Sequence, residues 1–213
     1  MKKDLASIRK DYLLKELNES DIYRSPFIQF SKWLEDAINA NVFEPNAMVL
    51  ATTSKDGKPS ARVVLLKDFN EQVFVFFTNY QSRKGVQIEQ NPYAAIVFFW
   101  PQLERQVRIE GIIEKVTADE SDKYFASRPK GSKYSAWVSP QSQIIPDRKY
   151  LEDRLKDFQN SKTGESIDRP KYWGGYRLKP YLFEFWQGRS NRLHDRIQFI
   201  KKNKKWEIER LAP

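Results

Sequence analysis

The 213-residue sequence has no cysteine and one histidine. The first absence excludes disulfides, thiolate chemistry and cysteine-built metal sites, and the second excludes a histidine-rich metal centre. No segment approaches the ~18 apolar residues of a membrane span. No apolar run follows the charged start Met1-Lys2-Lys3-Asp4, so no signal peptide is expected and a cytoplasmic location is the default. Neither GxGxxG nor GxxxxGKS/T occurs, which removes two common nucleotide-binding loops, and there is no internal repeat.

Hydrophobic residues make up 40% and aromatics 14% of the chain, enough to fold and to bury a core. At this length one domain, residues 1–213, is expected, with residues 1–20 as a mobile N-terminal arm. The net charge is +9. Nucleic acid, small phosphorylated molecules or mere solubility could each account for it, so the placement of the cations has to decide.

Leu5, Ile8, Tyr12 and Leu13 fall at helical spacing, which predicts a helix over residues 2–19. Ser25-Pro26 is a helix start, followed by a core stripe of Phe27, Phe30, Trp33, Leu34, Ala37 and Ile38. From Ala47 the period changes to strands: 47–53, a turn at Lys55-Asp56-Gly57-Lys58, then 60–67 and 73–78. A helix capped by Ser82 ends at Asn91-Pro92, and strands follow at 93–100 and 107–116. Thr117 and Glu120 form a capping box, and short helices are expected to about 127, over 132–138 and over 147–158. Three strands close the chain, at 182–187, 193–201 and 205–210. Strand and helix do not alternate regularly, so a mainly β protein, an antiparallel barrel with peripheral helices, is the expected class.

Several clusters carry chemistry. Arg62-Val63-Val64-Leu65-Leu66-Lys67 is a strand between two cations, suited to a flat ring with polar edges or simply a buried strand with charged ends. Phe77-Thr78 followed by Ser82-Arg83-Lys84 places cations and hydroxyls where a helix begins and anions are attracted. Tyr124, Arg128 and Ser132 form a second phosphate cup or a solvated helix end, and Gln106, Gln141 and Ser142 mean little alone. The only histidine stands in Arg192-Leu193-His194-Asp195-Arg196. If that stretch is extended, Arg192, His194 and Arg196 share one face, opposite Leu193, and bind something electron-rich or form a solvated strand edge.

Taken in order, the motifs Arg62-Val-Val-Leu-Leu-Lys67, Ser82-Arg-Lys84, Glu104-Arg-Gln-Val107, Tyr124-Phe-Ala-Ser-Arg-Pro129, Ala136-Trp-Val-Ser139, Gln141-Ser142, Tyr172-Trp-Gly-Gly175, Phe185-Trp-Gln-Gly188 and Arg192-Leu-His-Asp-Arg196 resemble those of the pyridoxine/pyridoxamine 5′-phosphate oxidase family. The resemblance runs from about Arg9 to Pro213. It implies an FMN-binding split β-barrel, a homodimer with FMN at the interface, and oxidation of pyridoxamine or pyridoxine 5′-phosphate to pyridoxal 5′-phosphate. Oxygen would be the acceptor and hydrogen peroxide a product. By position it assigns FMN to Arg62 through Lys67, Phe77, Thr78, Arg83, Lys84, Gln106, Gln141, Ser142, Trp186 and Arg196. It assigns the substrate phosphate to Lys67, Tyr124, Arg128 and Ser132. Arg192, Leu193 and His194 would lie at the substrate ring, with Arg192 and His194 as the catalytic pair, and Arg9 and Tyr12 would close over it. The sequence departs from the family pattern at Lys10-Asp11, Glu44, Tyr172 and Tyr176, none of them in the FMN motifs. Two rivals are a basic nucleic-acid-binding barrel, which also interleaves aromatics with cations but needs none of these hydroxyl and amide partners, and a flavin-binding relative without oxidase activity.

Overall fold

Ser25 precedes helix α1, Pro26–Asn39, with proline in its first turn. Its stripe of Phe27, Phe30, Trp33 and Ala37 is buried as expected, whereas Ile38 at the end of the stripe is exposed. In the computed structural model residues 4–8, 10–162 and 166–213 are described. Arg9 lies outside them.

The expected helix over 2–19 is not found in the described part of that segment. Two short 3-10 turns, Leu5–Ser7 and Glu19–Asp21, flank an irregular strap. Leu5, Ile8, Tyr12 and Leu13 have the right spacing, but Leu5, Ile8 and Leu13 are exposed and Tyr12 packs on Trp186 and His194, so a helix there would have little apolar surface to cover. Instead the strap donates its backbone N–H groups to distant carboxylates. Leu14 N–H bonds Glu104 at 3.1 Å and Leu17 N–H bonds Asp195 at 3.1 Å, while the Leu17 side chain is buried.

The strands are β1 (Ala47–Thr53), β2 (Pro59–Leu65), β3 (Asp68–Phe69), β4 (Phe74–Asn79), β5 (Tyr93–Trp100), β6 (Arg105–Lys115), β7 (Trp173–Gln187), β8 (Asp195–Lys202) and β9 (Lys205–Leu211). The remaining helices are α2 (Arg83–Gln90), α3 (Ala118–Ser127), α4 (Lys130–Val138) and α5 (Arg148–Ser161). The sheet order is β2-β1-β5-β6-β7-β4-β3, with β8 on β7 and β9 on β8. The β3–β4, β4–β7, β7–β8 and β8–β9 ladders are antiparallel. This is the mainly β class with peripheral helices that the sequence predicts. The differences are β3, which is not expected from the sequence, and the ends of strands. β7 starts at Trp173, nine residues before the expected 182, because Trp173 through Leu178 pair with β4. β8 starts two residues late, for a reason given below.

The chain forms two units, one of Met1–Val49, Ala95–Glu110 and Pro180–Pro213, the other of Leu50–Ala94 and Gly111–Lys179. The first has an aromatic core. Phe30 packs on Phe98 at 4.9 Å, Trp33 edge-on to Phe185 at 5.2 Å and Phe27 edge-on to Phe183 at 5.2 Å between ring centroids. Such pairs add to the area they bury by about 0.5–1.5 kcal/mol each. The second holds two smaller clusters, Val73, Val75 and Val116, and Phe125, Ala136 and Trp173, which share Phe77.

Within the second unit, α2 is seated by its capping residue and by a close backbone approach. The Ser82 side chain accepts the Gly85 N–H at 3.4 Å. A Cβ on Gly85 would collide with the backbone carbonyl of Tyr80. Because backbone cannot swing aside like a long side chain, Gly85→Ala is expected to cost about 1–3 kcal/mol. That corresponds to a melting temperature lower by roughly 2–4 °C per kcal/mol for a protein of this size. A calorimetric scan showing no loss would mean that α2 shifts freely.

Candidate functional site

In the second unit one cleft of about 460 Å³ gathers most of the sequence-predicted cluster residues. Its walls are Arg62, Val63, Val64 and Leu65 of β2, Lys67 just after it, Phe77 and Thr78 of β4, Lys84 of α2, Tyr124 of α3, and Arg128, Pro129, Ser132, Gln141 and Trp173. Three stretches spaced far apart in sequence thus meet on one surface. Leu66 does not: its side chain is buried and it lines no part of this cleft.

Among the described residues the cleft has four cations and no carboxylate. Neutral groups hold two of these cations in place. Arg62 donates to the Leu50 carbonyl at 3.1 Å, to Thr52 Oγ1 at 2.6 Å and to Ser60 Oγ at 2.6 Å. Lys84, only 9% exposed, donates to Gln141 Oε1 at 2.9 Å, Thr78 Oγ1 at 3.2 Å and Ser82 Oγ at 3.3 Å. Burial first, and then the nearby Arg62 charge, push the Lys84 ammonium down to about 8. Burial, then repulsion from Arg83, lowers Arg62, and burial lowers Arg128.

Arg128 lies over the Trp173 ring at 4.4 Å, and its Nη1 is buried with no hydrogen-bond partner. A buried charged donor without an acceptor costs about 1–3 kcal/mol or more, so its retention points to an anion that completes it. Tyr124 stacks on Phe77 at 3.8 Å and 15°, and Trp173 lies beside both rings and nearly parallel to them, 5.7 Å from Phe77 and 6.2 Å from Tyr124. Burial raises the Tyr124 hydroxyl against the pull of Arg128, so it remains protonated and able to donate at neutral pH.

The cations of Ser82-Arg83-Lys84 separate. Lys84 enters this cleft, while Arg83 lines an adjoining one of about 570 Å³ together with Ser142, and Gln141 borders both. The Ser82 hydroxyl, expected to face an anion, is instead used within the fold: it caps α2 and donates to the Asn79 carbonyl at 2.7 Å.

In the first unit a cleft of about 650 Å³ is lined by Ile8, Lys10, Asp11, Tyr12, Trp186, Arg189, Asn191, Arg192 and His194. Tyr12 stands edge-on to Trp186 at 5.6 Å and to His194 at 5.7 Å. It fits because residue 188 is glycine: a Cβ there would run into the Tyr12 ring. The expected extended run from Arg192 to Arg196 is not formed. Ser190–Arg192 is a 3-10 turn, with Asn191 and Arg192 at φ 54° and 61°, and β8 begins only at Asp195. Arg192 and His194 still reach the same cleft through this turn, and Leu193 is exposed.

Arg196 does not share their face. Its guanidinium donates to Glu184 at 2.9 and 3.1 Å and to the Ala212 carbonyl at 2.7 Å. Glu184 is 3% exposed and also accepts from Arg108 at 2.6 Å. Burial works to raise the Glu184 carboxyl, but the hydrogen bonds from Arg196 and Arg108 outweigh it and hold it below the usual range. Gln106, second in β6, is partly buried and lines none of the three clefts described.

Glu184 was missed by sequence reasoning, and so was Trp173 as a wall of the basic cleft. The signal for Glu184 was a carboxylate between Phe183 and Phe185 in an apolar strand.

The fold defines a mainly antiparallel β protein whose second unit carries a basic cleft. The family model of pyridoxamine 5′-phosphate oxidase matches residues 34–162, and that of the pyridoxine 5′-phosphate oxidase C-terminal dimerisation region matches residues 173–213. The pyridoxine/pyridoxamine 5′-phosphate oxidase of Nostoc sp. is 56% identical over 100% of both chains, and that of Cupriavidus pinatubonensis is 54% identical over 98% of this chain and 99% of the relative. Among solved structures, PhzG from Burkholderia lata, in complex with tetrahydrophenazine-1-carboxylic acid, superposes with a TM-score of 0.88 at 29% identity, covering 94% of this chain and 99% of PhzG. A pyridoxamine 5′-phosphate oxidase-related, FMN-binding protein from Nostoc punctiforme gives 0.69 at 18% identity over 90% and 100%, a likeness of fold alone. The chain belongs to the pyridoxine/pyridoxamine 5′-phosphate oxidase family and is an oxidoreductase. Its fold is the antiparallel split-barrel class expected from the sequence.

Proposed function

We propose that this protein is an FMN-dependent oxidase that converts pyridoxamine or pyridoxine 5′-phosphate to pyridoxal 5′-phosphate, with O2 as acceptor and H2O2 as product, in vitamin B6 biosynthesis and salvage. The observation that carries the reading is the carboxylate-free basic cleft with its buried, unpartnered Arg128 Nη1. That donor set suits phosphate dianions. Arg62 through Lys67, Phe77, Thr78, Arg83 and Lys84 would hold FMN. Lys67, Tyr124, Arg128 and Ser132 would hold the substrate phosphate.

Gln106, Gln141, Ser142, Trp186 and Arg196 would complete the flavin site in a homodimer with FMN at the interface, some of them supplied by the partner subunit. The match to a dimerisation region supports the dimer. Arg192, Leu193 and His194 would contact the substrate ring, with Arg9 and Tyr12 closing over it. Residues 1–213 act as one functional domain in this reading, with 1–20 as its arm and the cytoplasm as its location.

FMN held by these residues would supply the hydride acceptor that no side chain provides, with O2 as the final acceptor. The protein's part is positioning and electrostatics: rigid rings and neutral acceptors fix the cations before the ligand arrives. The purified protein should bind FMN in preference to FAD. It should form H2O2 with pyridoxamine or pyridoxine 5′-phosphate and react poorly with unphosphorylated pyridoxine. Failure to bind added FMN, or equal turnover of pyridoxine and its phosphate, would reject this. The PhzG relative was solved with a carboxylate ligand that has no phosphate. Oxidation of that compound alone would move the assignment toward a related activity.

Lys84 makes the proposal sensitive to pH. Its value near 8 lies below the 10.5 of a free lysine, so between these values the unfolded chain binds more protons and the ligand-free protein gains stability as pH rises. Flavin binding has the opposite sign. The phosphate favours the charged ammonium, so FMN uptake above pH 8 should draw in a proton, and affinity should fall as pH rises further. Titration calorimetry in buffers of different ionisation enthalpy measures this directly. Lys84→Met should abolish the uptake, and wild type showing none would exclude the contact.

A further inference from the structure

We propose that the Arg189 backbone N–H locks His194 as the neutral imidazole protonated at Nε2, so that His194 meets a ligand in its cleft as a hydrogen-bond donor and not as a base. The Arg189 amide donates to His194 Nδ1 at 3.1 Å. A nitrogen that accepts a backbone N–H cannot also carry a proton toward it. A neutral imidazole has one N–H, which then stands on Nε2. The turn makes this possible. Leu193 N–H closes onto the Ser190 carbonyl at 3.1 Å, and the left-handed Asn191 and Arg192 bring the ring back over an amide five residues earlier.

The adjacent aspartate is not the partner of the histidine. Asp195 Oδ2 accepts the Leu17 N–H at 3.1 Å and Arg189 Nη1 at 3.3 Å, while Oδ1 accepts Arg210 Nη1 at 2.8 Å. No His–Asp dyad is formed, and a carboxylate does not stabilise a proton on Nδ1. Among the described residues the other charged groups of the cleft are Lys10, Asp11, Arg189 and Arg192. Lys10 lies 3.6 Å from Glu104, and the Arg189 guanidinium is drawn to Glu16 at 2.7 Å. Burial first, then the Arg192 charge, lowers the His194 pKa, and Asp195 opposes this only in part. The rings of Tyr12 and Trp186, which also touch each other, both pack against the imidazole and restrict its plane.

The donor role rests on the function proposed above; the tautomer does not. A single histidine makes the test clean, because 15N-labelled histidine yields one pair of ring resonances. In the ligand-free protein at neutral pH, Nε2 should be protonated and Nδ1 unprotonated. A proton on Nδ1, or a doubly protonated ring, overturns the proposal. In the flavin-loaded enzyme, His194→Gln places an amide donor near Nε2, whereas His194→Asn places it near Nδ1. Gln should keep kcat/KM about tenfold above Asn, the scale of one hydrogen bond. Equal values, or the reverse order, overturn the donor role. The expected tautomer in a protein that does not oxidise B6 phosphates supports the lock and rejects the function instead.

Discussion

Arg128→Ala is expected to raise KM for the phosphorylated substrate by roughly 10–100-fold while leaving the ligand-free protein at least as stable as wild type. The first half follows from the loss of a charge-assisted hydrogen bond, about 1.5–3 kcal/mol, at tenfold per 1.4 kcal/mol. The second half comes from the environment of the guanidinium. Without ligand, Nη1 is buried and unpartnered, and burial disfavours the charge. Relief of an unsatisfied buried donor returns about 1–3 kcal/mol. The contact over Trp173, lost in the same substitution, is worth about 0.5–2 kcal/mol. The two nearly cancel, as expected where function has been kept at the expense of stability. Steady-state kinetics and ligand-free thermal melts test both halves. An unchanged KM would place the phosphate elsewhere, and a melt lowered by many degrees would make Arg128 a structural residue.

Arg196→Ala should weaken flavin retention and also destabilise the fold by about 3 kcal/mol. Removing one member of a buried ion pair strands its partner, which typically costs about 3–5 kcal/mol. The stranded group is the Glu184 carboxylate, with Arg108 as its remaining donor, which places the expected cost at the lower end. Adding Glu184→Gln should recover part of the loss in stability and none of the flavin affinity. Urea denaturation of the ligand-free protein, paired with FMN titration, separates the two effects. If Arg196→Ala unfolds at the wild-type midpoint, Glu184 does not depend on it.

The stretch around the histidine shows where sequence reading works and where it stops. Alternation correctly brought Arg192 and His194 to one surface, but for the wrong reason. The backbone reaches that surface through two left-handed residues, which spacing cannot reveal, and these also turn Arg196 away. The N-terminal strap fails in a related way. Its apolar period is genuine, yet a period stabilises a helix only when another element covers it, and here the Glu104 and Asp195 carboxylates take the backbone N–H groups instead.

By itself the sequence determined the elements with strong local chemistry: α1 from Ser25-Pro26, the Asp56-Gly57 turn, the capping box of α3, and the alternating strands. It also determined the family, because motifs spread over nearly the whole chain are specific when taken together. Only the tertiary structure decided which cations remain without carboxylates, that Arg83 and Lys84 face different clefts, that Leu66 turns inward, and that Glu184 claims Arg196. Local spacing governs backbone conformation through nearest neighbours, whereas charge pairing and burial depend on residues 57 or 76 positions away, as in Lys84 with Gln141 and Arg108 with Glu184. Those distances close only when the strands pair.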